Sequence, residues 1–409
     1  MTTPIQASAK SIRQLTGIPT SFKLAGFALL SAQFGKITFR LPDDRIIIFD
    51  SGASGSDAEI KVNDYRFANR AISSGDIGFA ESYMEDQWST PDLTAVLRYF
   101  SDNFDAVGNG SLARGRALVR WINKIRHGLN RNSRDGARRN IMSHYDLGND
   151  FYSLWLDPTM TYSSGMYSSP NTSLEHAQSA KYDAICSSLQ LGPESHVLEI
   201  GCGWGGFAEH AARKTGARVT CLTLSEAQRA YAIDRIKTAG LEDRVEIRLE
   251  DYRDHEGSYD GIASIEMFEA VGEQYWPDYF SKIQTVLKPG ARAALQVITI
   301  DDKLFDSYRK RADFIQHYIF PGGMLPSETA LKNQFSAAQL NYDGTQYFGQ
   351  DYARTLNSWA KRFNEAWPDI AQLGFDQPFK RMWNFYLSYC EAGFMGGRIN
   401  VGQFVVSKP

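Results

Sequence analysis

Four glycines follow an apolar segment in the middle of the chain, and their spacing is the first sign of chemistry. The segment 196–200 reads HVLEI and contains Glu199, and glycines at positions 201, 203, 205 and 206 then lead into the pattern of a helix. Glycine lets the backbone turn tightly and approach a ligand without an intervening Cβ. Such a turn after a strand of an open α/β sheet lies at the carboxyl ends of the strands, where ligands bind.

This glycine turn has three possible interpretations. A dinucleotide site is one, but the spacing is G-C-G-W-G-G, and LTLSEAQ follows the next strand instead of a lone ribose-binding acid. A purely structural glycine turn is another. The strand–EIGCGWGG–helix pattern is similar to the first motif of class I methyltransferases. Asp251 and Tyr252, after the third strand, suit contacts with adenine, although a solvated loop is the alternative for them.

The elements that must position these residues alternate between strand and helix patterns. Apolar strand patterns cover 197–200, 219–223, 245–249, 261–265 and 293–297, and helix patterns cover 207–215 and 225–239. This alternation predicts a mainly parallel sheet with helices on both faces. Upstream, segments 37–41 and 45–49 predict a hairpin, 59–62 a third strand, and 65–71 and 92–100 helices. The fold class is therefore α/β, with a smaller α/β unit before the main sheet.

Composition narrows the class of protein. A chain of 409 residues exceeds one ordinary core, so two domains are expected. The net charge of -3 excludes the overall basic field of a nucleic-acid binder. The four cysteines are scattered without a C-x-x-C pair, which argues against a zinc site or a disulfide framework and suits a reducing compartment. We expect a cytoplasmic protein, because the N-terminus lacks a signal-peptide core and no stretch approaches roughly 20 apolar residues.

A basic segment separates the two predicted domains. Between residues 109 and 140 there are many arginines and lysines but a single acid, Asp135, and apolar residues recur at helical spacing. One interpretation is docking on anionic lipid headgroups. The other is an interdomain connector whose arginines are merely solvated. The local pattern does not decide between them.

Six segments together resemble one family, the cyclopropane-fatty-acyl-phospholipid synthases and the related mycolic acid methyltransferases. They occur in this order: 144–167, 199–206, 267–276, 318–327, 348–356 and 385–394. Segment 73–90 is also similar to the bacterial phospholipid synthases, which carry an N-terminal lipid-binding domain. The resemblance implies a Rossmann-like class I methyltransferase sheet with an added helical acyl-binding region. It divides the chain into a lipid-binding domain (1–108), a basic amphipathic linker (109–140) and a catalytic domain (141–409).

The resemblance also implies S-adenosylmethionine as the cofactor. The cofactor-binding candidates are Tyr145, Tyr162, Ser163, Glu199, Gly201, Gly203, Thr223, Gln228, Asp251 and Tyr252. No metal ion is expected.

In this family a bicarbonate ion held by polar side chains is thought to be the base. Matching the motifs places Glu269 at the bicarbonate-binding glutamate, Tyr352 at the tyrosine and Cys390 at a late cysteine, for which a plain buried thiol is the alternative. Two positions depart from the family, since Ser164 stands where a cysteine is usual and Gln296 where a histidine is usual. Both can donate hydrogen bonds to an anion, but neither can act as a base near neutral pH.

These features predict transfer of a one-carbon unit to the double bond of an unsaturated phospholipid acyl chain. Methyl transfer leaves a carbocation on the chain, which aromatic ring faces can stabilise and a dry pocket can protect. Loss of a proton from the transferred methyl closes a cyclopropane ring, whereas loss from a neighbouring carbon gives a methyl-branched or methylene product. The ring is slightly favoured.

Two further functions stay open from the sequence: methylation of a small soluble molecule, and a lipid-binding protein without activity. The expected partner is a phospholipid membrane, contacted peripherally at its inner face, and no nucleic acid. The family resemblance also suggests a homodimer.

Overall fold

The computed structural model describes residues 3–108 and 147–409, which form two compact units. The first unit comprises Met1–Gly128, Lys310–His317 and Gly374–Gly396, so far as these are described, and the second comprises Leu129–Arg309, Tyr318–Leu373 and Gly397–Pro409. Two segments of the predicted catalytic domain therefore pack with the N-terminal residues. The basic linker 109–140 lies outside the described residues, and the predicted domain boundaries stay a prediction.

The first unit contains a five-stranded sheet in the order β1-β3-β2-β4-β5. Its strands are β1 (Ile5–Gln6), β2 (Lys36–Arg40), β3 (Ile46–Asp50), β4 (Asp57–Val62) and β5 (Trp88–Ser89). The predicted hairpin is confirmed, because β2 and β3 pair antiparallel with Thr38 opposite Ile48. Period-two alternation places Ile37 and Phe39 in the core, as expected for a sheet with one buried face.

Helices cover this first sheet. They are α1 (Ala9–Gln14), α2 (Thr20–Leu29), α3 (Arg66–Met84), α4 (Leu93–Asp102) and α5 (Phe104–Gly108). Helix α3 bends at Gly75, whose φ of 64° lies in the left-handed region that glycine tolerates. Among the described residues, no helix is long and apolar enough to cross a bilayer.

The second unit is built on a seven-stranded sheet that positions the glycine turn. Its strands are β6 (His196–Ile200), β7 (Arg218–Thr223), β8 (Val245–Leu249), β9 (Tyr259–Ile265), β10 (Leu287–Ile300), β11 (Asn341–Tyr347) and β12 (Ile399–Ser407). The order is β11-β12-β10-β9-β6-β7-β8, with β12 antiparallel to both neighbours and the pairs from β10 to β8 parallel. The predicted mainly parallel sheet is confirmed.

Helices lie on both faces of this sheet, as predicted. They are α6 (Asn149–Ser153), α7 (Leu174–Ser188), α8 (Gly206–Thr215), α9 (Glu226–Thr238), α10 (Trp276–Val286), α11 (Asp302–Tyr308), α12 (Glu328–Ala337), α13 (Gly349–Glu365) and α14 (Trp367–Gln372); α15 (Gln377–Met395) belongs to the first unit. One core forms around Ile185, Phe207 and Val219, and another around Phe268, Trp276 and Tyr279. The two cores hold the central strands rigid, and the carboxyl ends of those strands carry the site.

Candidate active site

The glycine turn between β6 and α8 forms one wall of a cavity. Gly201 has a φ of 83°, and a Cβ at this position would lie 2.5 Å from Cγ of Met267. Glycine is therefore required here for two reasons: it tolerates the positive φ, and a side chain would collide with Met267. Gly203 and Gly205 also have positive φ, so every second residue from 201 to 205 helps to turn the chain sharply from strand to helix.

The end of β7 lies beside this turn and presents polar groups to the same cavity. Thr223 and Gln228 are both buried, and their side chains are joined by a hydrogen bond of 3.1 Å. Ser225 caps α9 by accepting a hydrogen bond from the backbone N–H of Gln228, which fixes the start of the helix. Gln228, in the first turn of this helix, lines the cavity.

Acidic residues surround the cavity. Glu199 is buried at the end of β6, and burial raises its pKa to about 8. Asp251 forms an ion pair with Arg253, and Tyr252 packs edge-to-face on Tyr279 at 5.4 Å between ring centroids. A site of this composition suits a positively charged ligand that also has an aromatic base.

The loop that carries Tyr162, Ser163 and Ser164 is held by two buried side chains of α7. Lys181 donates a hydrogen bond of 2.6 Å from Nζ to Oγ of Ser163, and Gln178 donates one of 2.8 Å to the carbonyl of Ser163. Burial lowers the pKa of Lys181 to about 7. The sequence analysis identified neither residue, since each reads as an ordinary polar position of an amphipathic helix.

The structure brings nearly all predicted cofactor residues to one cavity. Its lining includes Tyr162, Ser163, Glu199, Gly201, Gly203, Thr223, Gln228, Asp251 and Tyr252. Tyr145 lies outside the described residues, so its role stays a prediction.

Three of the predicted catalytic residues converge on an acid that the sequence analysis did not single out, Glu266. Its Oε1 accepts hydrogen bonds from the backbone N–H of Ser164 at 2.9 Å and from Nε2 of Gln296 at 2.7 Å. Its Oε2 accepts one from the hydroxyl of Tyr352 at 2.5 Å. Glu266 also lines the cofactor cavity. Ser164, Gln296 and Tyr352 are thus brought together, but around a carboxylate of the chain itself.

A second amide orients Gln296. Nε2 of Gln403 on β12 donates to Oε1 of Gln296 at 3.2 Å and to the carbonyl of Lys181 at 3.2 Å. Because the oxygen of Gln296 accepts from Gln403, its amide nitrogen points toward Glu266. Both glutamines are almost completely buried, so this arrangement has little freedom to rotate.

Glu269, the predicted anion-binding glutamate, has different contacts. Its Oε1 accepts a hydrogen bond of 2.6 Å from the backbone N–H of Ile298, and its buried Oε2 has no partner among the described residues. Burial and the neighbouring charge of Glu266 raise the pKa of Glu269 to about 8. The role of Glu269 in the reaction stays a prediction.

The two neighbouring acids differ in how many donors stabilise their ionised forms. Burial raises the pKa of Glu266, while the hydrogen bond from Tyr352 and the charge of Lys181 oppose that effect. Three donors therefore stabilise the ionised form of Glu266, whereas Glu269 has one and keeps its proton at neutral pH.

Cys390 lies on α15 in the first unit, where burial raises the pKa of its thiol. This environment describes an unreactive thiol rather than a nucleophile. Its predicted role in catalysis stays a prediction.

One sequence signal pointed to Glu266. It follows β9 immediately, at the same carboxyl edge as Glu199. Its φ of 49° is unusual for a residue other than glycine, and such backbone strain is concentrated at functional sites. Motif matching selected Glu269 three residues later, because only the tertiary structure shows which acid the donors face.

The sheet order, the glycine turn and the acids around the cavity define an S-adenosylmethionine-dependent methyltransferase. Residues 132–404 match the family model described as mycolic acid cyclopropane synthetase. The tuberculostearic acid methyltransferase UfaA1 of Mycobacterium tuberculosis is 40% identical over 351 residues, which cover 83% of this chain and 80% of the relative. The cyclopropane-fatty-acyl-phospholipid synthase of Escherichia coli is 37% identical over 351 residues, covering 86% of this chain and 88% of that protein.

Solved structures agree with these relatives. The cyclopropane synthase MmaA2 from Mycobacterium tuberculosis has a TM-score of 0.63 and 30% identity, covering 66% of this chain and 98% of that one. The mycolic acid cyclopropane synthase CmaA1, complexed with SAH and CTAB, has a TM-score of 0.62 and 29% identity with the same coverage. This chain belongs to the mycolic acid cyclopropane synthetase family, whose members transfer a methyl group from S-adenosylmethionine to lipid acyl chains.

The residues present fit S-adenosylmethionine. Glycine at position 201 leaves room for a ligand beside the strand end, Glu199 offers a carboxyl group to a cationic ligand, and Tyr162 and Tyr252 offer aromatic rings. The cofactor supplies an electrophilic methyl group on a sulfonium centre.

The residues fit a bicarbonate ion poorly. Of the groups expected to bind it, the N–H of Ser164, the amide of Gln296 and the hydroxyl of Tyr352 already donate to Glu266. A further anion would also lie beside two carboxyl groups, which is electrostatically unfavourable.

Proposed function

We propose that this enzyme transfers a one-carbon unit from S-adenosylmethionine to the double bond of an unsaturated phospholipid acyl chain. One observation carries the proposal: the cofactor cavity has both an aromatic wall and a hydrogen-bonded carboxylate. This pairing suits a reaction in which a carbocation forms on an apolar chain and then loses a proton.

The aromatic wall begins at Tyr162, which lines the cavity. Its ring lies 5.3 Å from that of Trp359 and 5.7 Å from that of Trp155, and Trp359 also contacts Tyr352 at 6.1 Å. Both tryptophans are completely buried. In the proposed reaction the ring of Tyr162 offers an electron-rich face to a developing positive charge, and the buried tryptophans behind it help to exclude water.

The product is the finer part of the proposal. A cyclopropane corresponds to the name of the Escherichia coli relative, and a methylated product without a ring corresponds to the name of UfaA1. Ring closure remains slightly favoured, and the uncyclised methyl-branched or methylene product is the alternative. Gln296 at the usual histidine position is the residue that motivates this alternative.

The proposed partner is a phospholipid membrane, which the enzyme contacts peripherally at its cytoplasmic face. Support comes from large apolar side chains on the surface of the first unit: Leu30, Phe34 and Phe104 are 39%, 46% and 49% exposed. Exposed apolar groups of this size favour transfer into a lipid interface. The homodimer expected from the family resemblance stays a proposal.

Mass spectrometry of phospholipid fatty acids tests this function. Purified enzyme is incubated with vesicles of oleoyl phosphatidylglycerol and S-adenosylmethionine labelled on the methyl group. A labelled fatty acid is expected. Hydrogenation that spares cyclopropane rings then separates the products, because an olefin takes up hydrogen and a ring does not. If no phospholipid is labelled while a small soluble acceptor is, the alternative of a small-molecule methyltransferase replaces the proposal.

A further inference from the structure

Glu266 occupies the position at which an external anion would otherwise meet the donors of this site. The backbone N–H of Ser164, the amide of Gln296 and the hydroxyl of Tyr352 come from three separate segments and end on one carboxylate. Such convergence of donors from distant parts of a chain is typical of a built anion site. Here the anion is a side chain.

The local backbone holds that side chain in the cavity. Glu266 follows β9 with a φ of 49°, and its N–H donates to the carbonyl of Gln296 at 2.8 Å. A glutamate in the left-handed region carries backbone strain that glycine would avoid, and such strain is concentrated at functional sites. Glu266 is exposed only in part, and it lines the cofactor cavity.

Titratable groups from three directions face Glu266. Lys181 approaches from α7, the hydroxyl of Tyr352 from α13, and Glu269 from the 3-10 turn Phe268–Ala270. The hydrogen bond from Tyr352 and the charge of Lys181 favour the carboxylate form of Glu266, against the burial that raises its pKa. Glu266 therefore combines three donors to its carboxyl oxygens with a place in the cavity lining.

We propose that Glu266 is the general base of the reaction and replaces the bicarbonate ion that the family resemblance implies. This inference rests on the proposed function. In the first step the alkene electron pair forms a carbon–carbon bond to the methyl group. The bond from that methyl to sulfur breaks, and its electron pair stays on sulfur. The neighbouring chain carbon becomes cationic.

In the second step a carboxylate oxygen of Glu266 accepts a proton. If the proton comes from the transferred carbon, the released C–H electron pair forms the third bond of a cyclopropane ring. If it comes from a neighbouring chain carbon, the pair forms a carbon–carbon double bond instead. Glu266 thus ends the step as a neutral acid, still hydrogen-bonded to its three donors.

The test compares wild type with Glu266→Gln and Glu266→Gly in buffers with and without bicarbonate. Glutamine keeps the shape of the side chain but cannot accept the proton. Glycine tolerates the positive φ and leaves the three donors open to an added anion. Glu273→Gln, which removes a surface carboxylate that pairs with Arg309, is the matched control. Binding of S-adenosylhomocysteine, measured by calorimetry, checks that each variant is folded.

We expect wild-type labelling of phospholipid to be equal with and without bicarbonate. Glu266→Gln should lose about 100-fold or more, the usual contribution of a general base. Glu266→Gly should lose as much, and added bicarbonate should restore part of its rate. A wild-type enzyme that requires bicarbonate, or a Glu266→Gln variant that keeps the wild-type rate, would overturn the inference.

A second readout needs no lipid substrate. Binding of carbon-13 bicarbonate, followed by NMR, should be absent for wild type and should appear for Glu266→Gly. Bicarbonate binding by wild type would overturn the inference, even if phospholipid is labelled. Conversely, absence of labelled phospholipid with the expected binding pattern would refute the proposed function, while still supporting the replacement of the ion by Glu266.

Discussion

At the scale of single residues, Glu266 and Glu269 have different roles although they lie three residues apart. Glu266 receives three hydrogen bonds and faces the cavity, and Glu269 accepts one from Ile298. Neighbouring carboxyl groups that cannot both ionise divide into a base and a neutral acid. The motif predicted Glu269 as the acid of this site, whereas the three donors form hydrogen bonds with Glu266.

The effect of Glu269→Gln distinguishes the two roles. A glutamine resembles the neutral acid in shape, and its oxygen can still accept from the N–H of Ile298. We therefore expect a loss of at most about tenfold at pH 7, against about 100-fold or more for Glu266→Gln. Initial rates with labelled cofactor measure both. An inactive Glu269→Gln beside an active Glu266→Gln would overturn Glu266 as the base and restore Glu269 to the catalytic role that the motif predicted.

At the scale of elements, the turn after β6 holds the cofactor cavity open. Gly201 combines a positive φ with a close approach to Met267, as the strand–glycine–helix pattern suggested. Neighbouring strand ends then supply the remaining walls. Parallel strands place their carboxyl ends at one edge, which explains why residues far apart in sequence line one cavity.

The substitution Gly201→Ala tests this wall. A Cβ at position 201 would push Met267 into the cavity, so we expect affinity for S-adenosylmethionine to fall by about 100-fold or more. The control is Gly290→Ala, since Gly290 also has a positive φ of 77° but nothing within 4 Å of its would-be Cβ. Calorimetry of cofactor binding measures both variants. Equal affinities would show that the close approach at Gly201 does not shape the site.

Two neighbouring acids of the first unit make its stability depend on pH. Asp76 follows the bend of α3, and Asp313 accepts a hydrogen bond of 3.0 Å from the N–H of Gln316. Burial and the nearby Asp76 raise the pKa of Asp313 to about 7. The thiol of Cys390 on α15 also faces Asp313.

The sign of the pH effect follows from this shift. The folded state keeps the proton on Asp313 up to about pH 7, whereas the unfolded chain loses it near the ordinary aspartate pKa of 3.8. Stability is therefore lost as pH rises through this window. Asp313→Asn cannot ionise, and its oxygen can still accept from Gln316. We expect it to raise the melting temperature at pH 8 and to change it little near pH 4. The corresponding gain in the free energy of unfolding at pH 8 is at most about 4 kcal/mol.

Thermal unfolding followed by circular dichroism at several pH values measures this difference. Asp105→Asn, which changes an exposed aspartate of the same unit, accounts for the loss of one charge. A stabilisation by Asp313→Asn that is equal at pH 4 and pH 8 would contradict the buried-acid interpretation.

For the whole molecule, the proposed membrane contact rests on the exposed apolar side chains of the first unit. The side chain of Asn103 accepts from the N–H of Phe34 at 3.0 Å and donates to its carbonyl at 2.9 Å. The backbone of Phe34 is therefore tied to Asn103, which precedes Phe104 in the chain. Exposed phenylalanine rings are suited to insertion into a lipid interface.

Replacing both rings by serine should weaken membrane binding. Two half-exposed phenylalanines contribute about 1 kcal/mol each or more on insertion, so Phe34→Ser with Phe104→Ser should reduce binding to anionic vesicles by about tenfold or more. Leu373→Ser is the control, because Leu373 is 47% exposed on the second unit. Vesicle co-sedimentation measures the change. Equal losses for the double variant and the control would place membrane contact elsewhere.

The sequence by itself determined the α/β class, the places of the five parallel strands along the chain and the glycine turn after the first of them. Periodicity and glycine spacing are local properties, and the ends of parallel strands meet at one edge wherever the fold is formed. Only the tertiary structure decided that Lys181 holds the loop of Ser163, that Gln403 orients Gln296, and that the donors meet Glu266 rather than Glu269. These contacts join residues on separate elements, and a hydrogen bond forms only when distance and direction agree, which no local pattern specifies.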